Sequence, residues 1–160
     1  MKWLAVISLC FSCCVSAHSL STAFIQLQPD AKGLSARLEL SIVDLQQVLN
    51  WPTDQDVRWS DIQKHKATIT SYLHQHMYLQ DAQNNRCIFE TDASAWTAVE
   101  KNHSYYLSLP LFSSCNTEQS TLHYQLFSEL HDHKLLVNWQ QKQWVISQQS
   151  PQLNLIKATL

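Results

Sequence analysis

The chain is 160 residues long, with eleven Lys and Arg against thirteen Asp and Glu and a formal charge of −2. No basic run exceeds Lys64-His65-Lys66, so there is no footprint for a phosphate backbone, and nucleic acid is excluded as a partner. Gly33 is the one glycine, which removes every glycine-rich phosphate cradle and with it nucleotide binding.

The N-terminal stretch points to a compartment. Lys2 precedes an apolar run from Trp3 to Val15, and Val15-Ser16-Ala17 follows as a small-x-small cleavage site. The run falls short of the roughly 20 residues that a spanning helix needs. The expected product is therefore exported and periplasmic, cut after Ala17 and starting at His18. Lipidation at Cys13 or Cys14 is the competing route, although neither cysteine has an aliphatic residue three positions before it. Residues 18–160 have the size of one ordinary domain.

Ser21 to Gln28 reads as a strand, and Pro29-Asp30-Ala31-Lys32-Gly33 as a turn. Leu34, Ala36, Leu38 and Leu40 then alternate with Ser35, Arg37, Glu39 and Ser41, the period of a half-buried strand, so the two form a hairpin. At Ile42 the period changes. Ile42, Leu45, Val48 and Leu49 predict a short amphipathic helix, followed by an acidic loop from Asn50 to Asp56. A longer helix is expected from Trp59 to Leu79, with Ile62, Ile69, Leu73 and Met77 facing inward.

Past Asp81-Ala82-Gln83-Asn84-Asn85 the pattern returns to period two. Strands are predicted at Arg86 to Glu90, Ala95 to Val99, His103 to Leu109, Thr121 to Leu130, Lys134 to Trp139 and Gln143 to Gln149. Short strands at this spacing imply a mainly β, α+β fold. The expected architecture is an antiparallel β-sandwich with a helical hairpin inserted after the second strand, at 42–80.

Cleavage would leave two cysteines, Cys87 and Cys115, which in an oxidising compartment form a disulfide. On the chain-entropy account such a bridge stabilises by about 3–4 kcal/mol.

The helix–acidic loop–helix pattern invites comparison with a calcium loop. With Asn50 at position 1, Pro52 falls at 3, Asp54 at 5, Asp56 at 7, Val57 at 8 and Asp61 at 12. Proline cannot ligate, and Gln55 stands where the sharp turn needs glycine, so the connection keeps the outline of a calcium loop without its ligands.

His18 is the sharper metal candidate, because its free amine and imidazole can chelate copper or nickel together. A second candidate is His131-Asp132-His133, a tight turn where two imidazoles could converge. Catalytic motifs are missing: there is no G-x-S-x-G and no H-E-x-x-H. Trp51, Trp59, Trp96, Trp139 and Trp144 could serve a carbohydrate-binding module or cell-envelope enzyme as a sugar platform, with core packing as the plainer reading.

Ala17-His18-Ser19-Leu20 resembles the opening of the extracytoplasmic domain of HupE/UreJ-like membrane proteins. So do Leu38 to Val48 with Asp44-Leu45 and Val48-Leu49, the following Trp59-Ser60-Asp61-Ile62, and the late stretch Tyr124 to His133 with Leu135-Leu136-Val137. Those proteins continue into membrane helices associated with nickel or cobalt handling, whereas this chain stops at Leu160. The resemblance implies a non-enzymatic periplasmic accessory domain that works with a separately encoded integral membrane protein.

Overall fold

The computed structural model describes residues 21–52, 55–115, 120–156 and 158. The proposed leader, His18 and Asp54 lie outside the described residues. Strands β1 (Thr22–Asp30) and β2 (Gly33–Ser41) form the expected hairpin, with Asp30 paired to Gly33 across the turn. Alternation places Ala23, Ile25, Leu27, Leu34, Ala36, Leu38 and Leu40 on the buried face.

Helix α1 (Ile42–Val48) starts directly from β2, with the Ser41 hydroxyl accepting from the Asp44 amide. Next come α2 (Trp59–Lys64) and α3 (Lys66–His76), and then β3 (Met77–Gln80). The single helix expected to Leu79 is thus corrected: it breaks at His65 and ends at His76. Ile62, Ile69, Leu73 and Met77 are all buried, as a helical stripe requires. Met77 lies four residues after Leu73, so it satisfies either period. Pairing of β3 with a later strand turns Met77 and Leu79 into the buried side of a sheet.

The remaining strands are β4 (Arg86–Ile88), β5 (Glu90–Thr91), β6 (Thr97–Lys101), β7 (Ser104–Ser113), β8 (Thr121–Tyr124), β9 (Lys134–Trp139), β10 (Lys142–Ser147) and β11 (Gln152–Asn154). The expected strand at Arg86 to Glu90 is two strands in different sheets, with the fully buried Phe89 at the crossing. The strand expected to Leu130 stops at Tyr124. Leu126 and Phe127 are apolar because they are buried in a turn, not because they pair. Strand β11 has too short a pattern to read from sequence.

Two sheets form the sandwich-like α+β fold. One runs β10-β9-β1-β2-β7-β5, with β6 also on β7; the other runs β11-β8-β3-β4. The expectation of a wholly antiparallel sandwich is corrected at one place, since β1 and β9 pair in parallel. Alternation reports which face of a strand is buried but carries no information on its direction.

Asn, His and Gln supply the turn chemistry of two hairpins. Asn102 and His103 join β6 to β7, and Gln140 and Gln141 join β9 to β10, all four at positive φ. That is the geometry of two-residue hairpins whose twist matches the sheet. Cys87 and Cys115 form the expected disulfide, Cα to Cα 5.9 Å, tying β4 of one sheet to the segment after β7 of the other. No helix among the described residues is long and apolar enough to cross a membrane.

Candidate functional site

Three regions bear on function: the turn holding His133, the loop between α1 and α2, and the disulfide. The His131-Asp132-His133 turn does not gather two imidazoles. His131 is exposed, whereas His133 is buried at 4% exposure. His133 Nδ1 lies 2.5 Å from the Ser21 hydroxyl and Nε2 lies 2.7 Å from the Tyr124 hydroxyl. Ser21 in turn donates to Asp44 Oδ2 at 2.7 Å.

These distances assign the tautomer. Ser21 has one proton and gives it to Asp44, so Nδ1 carries a hydrogen and donates to the serine oxygen. Nε2 is then the acceptor for the Tyr124 O–H. The result is a one-way chain from Tyr124 through His133 and Ser21 to Asp44. Burial pushes His133 down to about 4. Burial also raises Asp44, against hydrogen bonds with Ser21 and Ser41 that lower it, and pushes the Tyr124 phenol well up. In this arrangement the one lone pair of the neutral imidazole, on Nε2, is directed at the Tyr124 hydroxyl, so the structure places His133 inside a hydrogen-bonded chain and apart from the exposed His131.

The order of groups also differs from a hydrolytic triad. There the imidazole stands between carboxylate and hydroxyl; here the serine stands between carboxylate and imidazole.

In the α1–α2 connection, Asn50 takes a positive φ of 54° just after α1. Asp61 accepts from the Arg58 amide at 3.0 Å and lies 3.6 Å from Lys64, so the carboxylate at the twelfth loop position caps α2. The Gln46 amide donates to the carbonyl oxygens of Pro52 and of Gln55. A side-chain amide thus pins this loop where a calcium loop would be held by its ion. Asp56 is exposed at the edge of the groove described next.

That groove, of about 670 Å³, runs between α1, the loop leading into α2, and the β6–β7 hairpin. Val43, Trp59 and Tyr105 line it while remaining 65%, 43% and 60% exposed. They are three of the six exposed large hydrophobic residues among those described. Asp56, Arg58 and His103 add polar groups along it. Of the five tryptophans considered as a platform, Trp51, Trp96 and Trp139 are buried and Trp144 is half-buried, leaving Trp59 as the exposed one.

Among the described residues, one group of three potential metal donors lies close together: Asp81, Cys87 and Cys115. The cysteines are joined in the disulfide, and Asp81 accepts from the amides of Gln83 and Asn85 and from the Asn85 side chain. Those hydrogen bonds, led by the Asn85 side chain, hold the Asp81 carboxyl below its ordinary value. They make it the organiser of the β3–β4 turn.

Sequence reading missed Ser21 and Tyr124 as partners of His133 and Asp44 as the partner of Ser21: the two Ser21 links span 112 and 23 residues, and Tyr124, 9 residues from His133, falls inside a predicted strand that gives no sign of the contact. Val43 did carry a signal: Ile42, Leu45, Val48 and Leu49 occupy the inward stripe of α1 and leave it outside. No protein-family model matches this chain, and no curated protein matches it.

Proposed function

We propose that this chain is an exported, non-enzymatic accessory domain that docks on a separately encoded integral membrane protein through the α1/β6–β7 groove. The observation that carries this reading is the convergence of Val43, Trp59 and Tyr105 on one groove. Exposed apolar side chains scattered singly need no explanation, whereas their gathering with polar groups beside them is the composition of an interface. Trp and Tyr are also the residue types that most often dominate binding energy. The likeness to the extracytoplasmic domain of HupE/UreJ-like proteins supports a membrane partner, since that domain is joined there to membrane helices.

The test is affinity capture from detergent-solubilised membranes with wild type and with Trp59→Ala/Tyr105→Ala. An integral membrane protein should be recovered by wild type and lost with the variant, each truncation weakening binding by about 1–2 kcal/mol. Recovery of no integral membrane protein by the wild type would overturn the proposal.

A further inference from the structure

A second cavity lies away from the groove, between the turn after β8 and the end of β10. It measures about 200 Å³ and is lined by Tyr124, Phe127, His133, Ile146, Gln148 and Pro151 among others. We propose that it binds one small neutral molecule with an aromatic or short aliphatic body and a polar tip at the mouth.

Size and chemistry both select this class. An engineered apolar cavity of about 150 Å³ admits benzene, so the volume here accommodates a ring system slightly larger. Among the described residues, no carboxylate, lysine or arginine lines the cavity. The two titratable groups in its wall, His133 and Tyr124, hydrogen bond to each other, and His133 is also held by Ser21. A charged ligand would enter without a counter-charge, which is strongly unfavourable. Ser128 and Gln148 also line the cavity and are exposed, so the polar part of the lining stands at the mouth.

The wall is built rather than incidental. Phe127 is fully buried at φ 59°, a left-handed conformation uncommon for a bulky residue. Its amide donates to the Tyr72 hydroxyl at 2.7 Å, and its ring meets the His133 ring edge-on at 4.8 Å. Residues held in such conformations cluster at ligand sites, because the surroundings must over-determine them. Gln148 spans the same region, its side-chain amide donating to the carbonyl oxygens of Ser128 at 2.7 Å and Leu130 at 2.8 Å.

The test is calorimetric titration of the purified exported protein with indole, and with benzoate as a charged molecule of similar size. Indole should bind saturably with a dissociation constant of about 1 mM or tighter, and benzoate at least about tenfold more weakly. Ser128→Phe, at the exposed rim, should weaken indole at least about tenfold with unchanged circular dichroism. Independently of any variant, indole should shift the NMR signals of the Ile146 methyl groups and the Phe127 ring. Absence of saturable indole binding, equal affinity for benzoate, or shifts confined to Trp59 and Tyr105 would each overturn the assignment.

Discussion

The Ser21 hydroxyl and His133 Nδ1 lie 2.5 Å apart although 112 residues separate them. The bond ties the start of β1 to the turn that launches β9, and the first rung between these segments, Lys134 N–H to the Ser21 carbonyl at 3.1 Å, lies beside it. The parallel pairing of β1 with β9 is therefore clamped at its origin by a largely buried side-chain chain running from Tyr124 to Asp44. Such a network stabilises only when every member is satisfied.

Acid should weaken this clamp. Burial holds His133 at about 4 against an ordinary value of 6.5. Above about pH 6.5 the imidazole is neutral in both states, and its contribution is fully present. Below that, the unfolded chain takes up a proton that the fold refuses, and stability falls until the folded imidazole titrates near pH 4. The full loss is about 3 kcal/mol. Asp44 acts oppositely, since burial raises it and its protonation in the fold offsets part of the loss at the acid end. Urea midpoints measured from about pH 7 to about pH 4 should decline in the wild type and flatten in His133→Gln. A constant wild-type midpoint would remove the neutral buried imidazole.

Removing the Cys87–Cys115 bridge should destabilise without changing the fold. The bridge spans a sequence separation of 28 residues and joins the two sheets. On the chain-entropy account Cys87→Ser/Cys115→Ser loses about 3–4 kcal/mol. Urea denaturation of oxidised wild type against this variant reads the difference, and coincident midpoints would show that the bridge constrains nothing.

Gly33→Ala should be costly despite its position in an exposed hairpin turn. A Cβ at Gly33 would meet the Ser113 carbonyl oxygen at 2.1 Å and the Ser114 Cα at 2.9 Å, both backbone atoms with little freedom to retreat. A loss of about 2 kcal/mol or more is expected, whereas Lys32→Ala in the same turn should stay within about 0.5 kcal/mol. Equal thermal midpoints for the two variants would contradict the close approach of β7.

Much of the local structure was legible because it is written in short periods. The β1–β2 hairpin, α1, the extent of β9 and the pairing of Cys87 with Cys115 follow from alternation, helical spacing and cysteine arithmetic. The break at His65 and the change from α3 to β3 were not legible, because Met77 fits the helical stripe and the strand equally well. At the candidate sites, helical spacing leaves Val43 off the inward stripe of α1 and Trp59 stands at a helix start, but neither pattern marks a shared surface, and their meeting with Tyr105 depends on where the β6–β7 hairpin folds.

By itself the amino-acid sequence determined the mainly β class and the two-cysteine staple, and it raised the expectations of a leader and of a surface unsuited to nucleotides and nucleic acid. These rest on composition and on repeats of two to four residues, which any window of chain displays. Only the tertiary structure decided that β1 runs parallel to β9, that His133 is an internal hydrogen-bonded imidazole rather than half of a metal pair, and that three exposed apolar residues share a groove. The physical reason is that direction of pairing and convergence of distant side chains are properties of chain crossings. No local pattern encodes them.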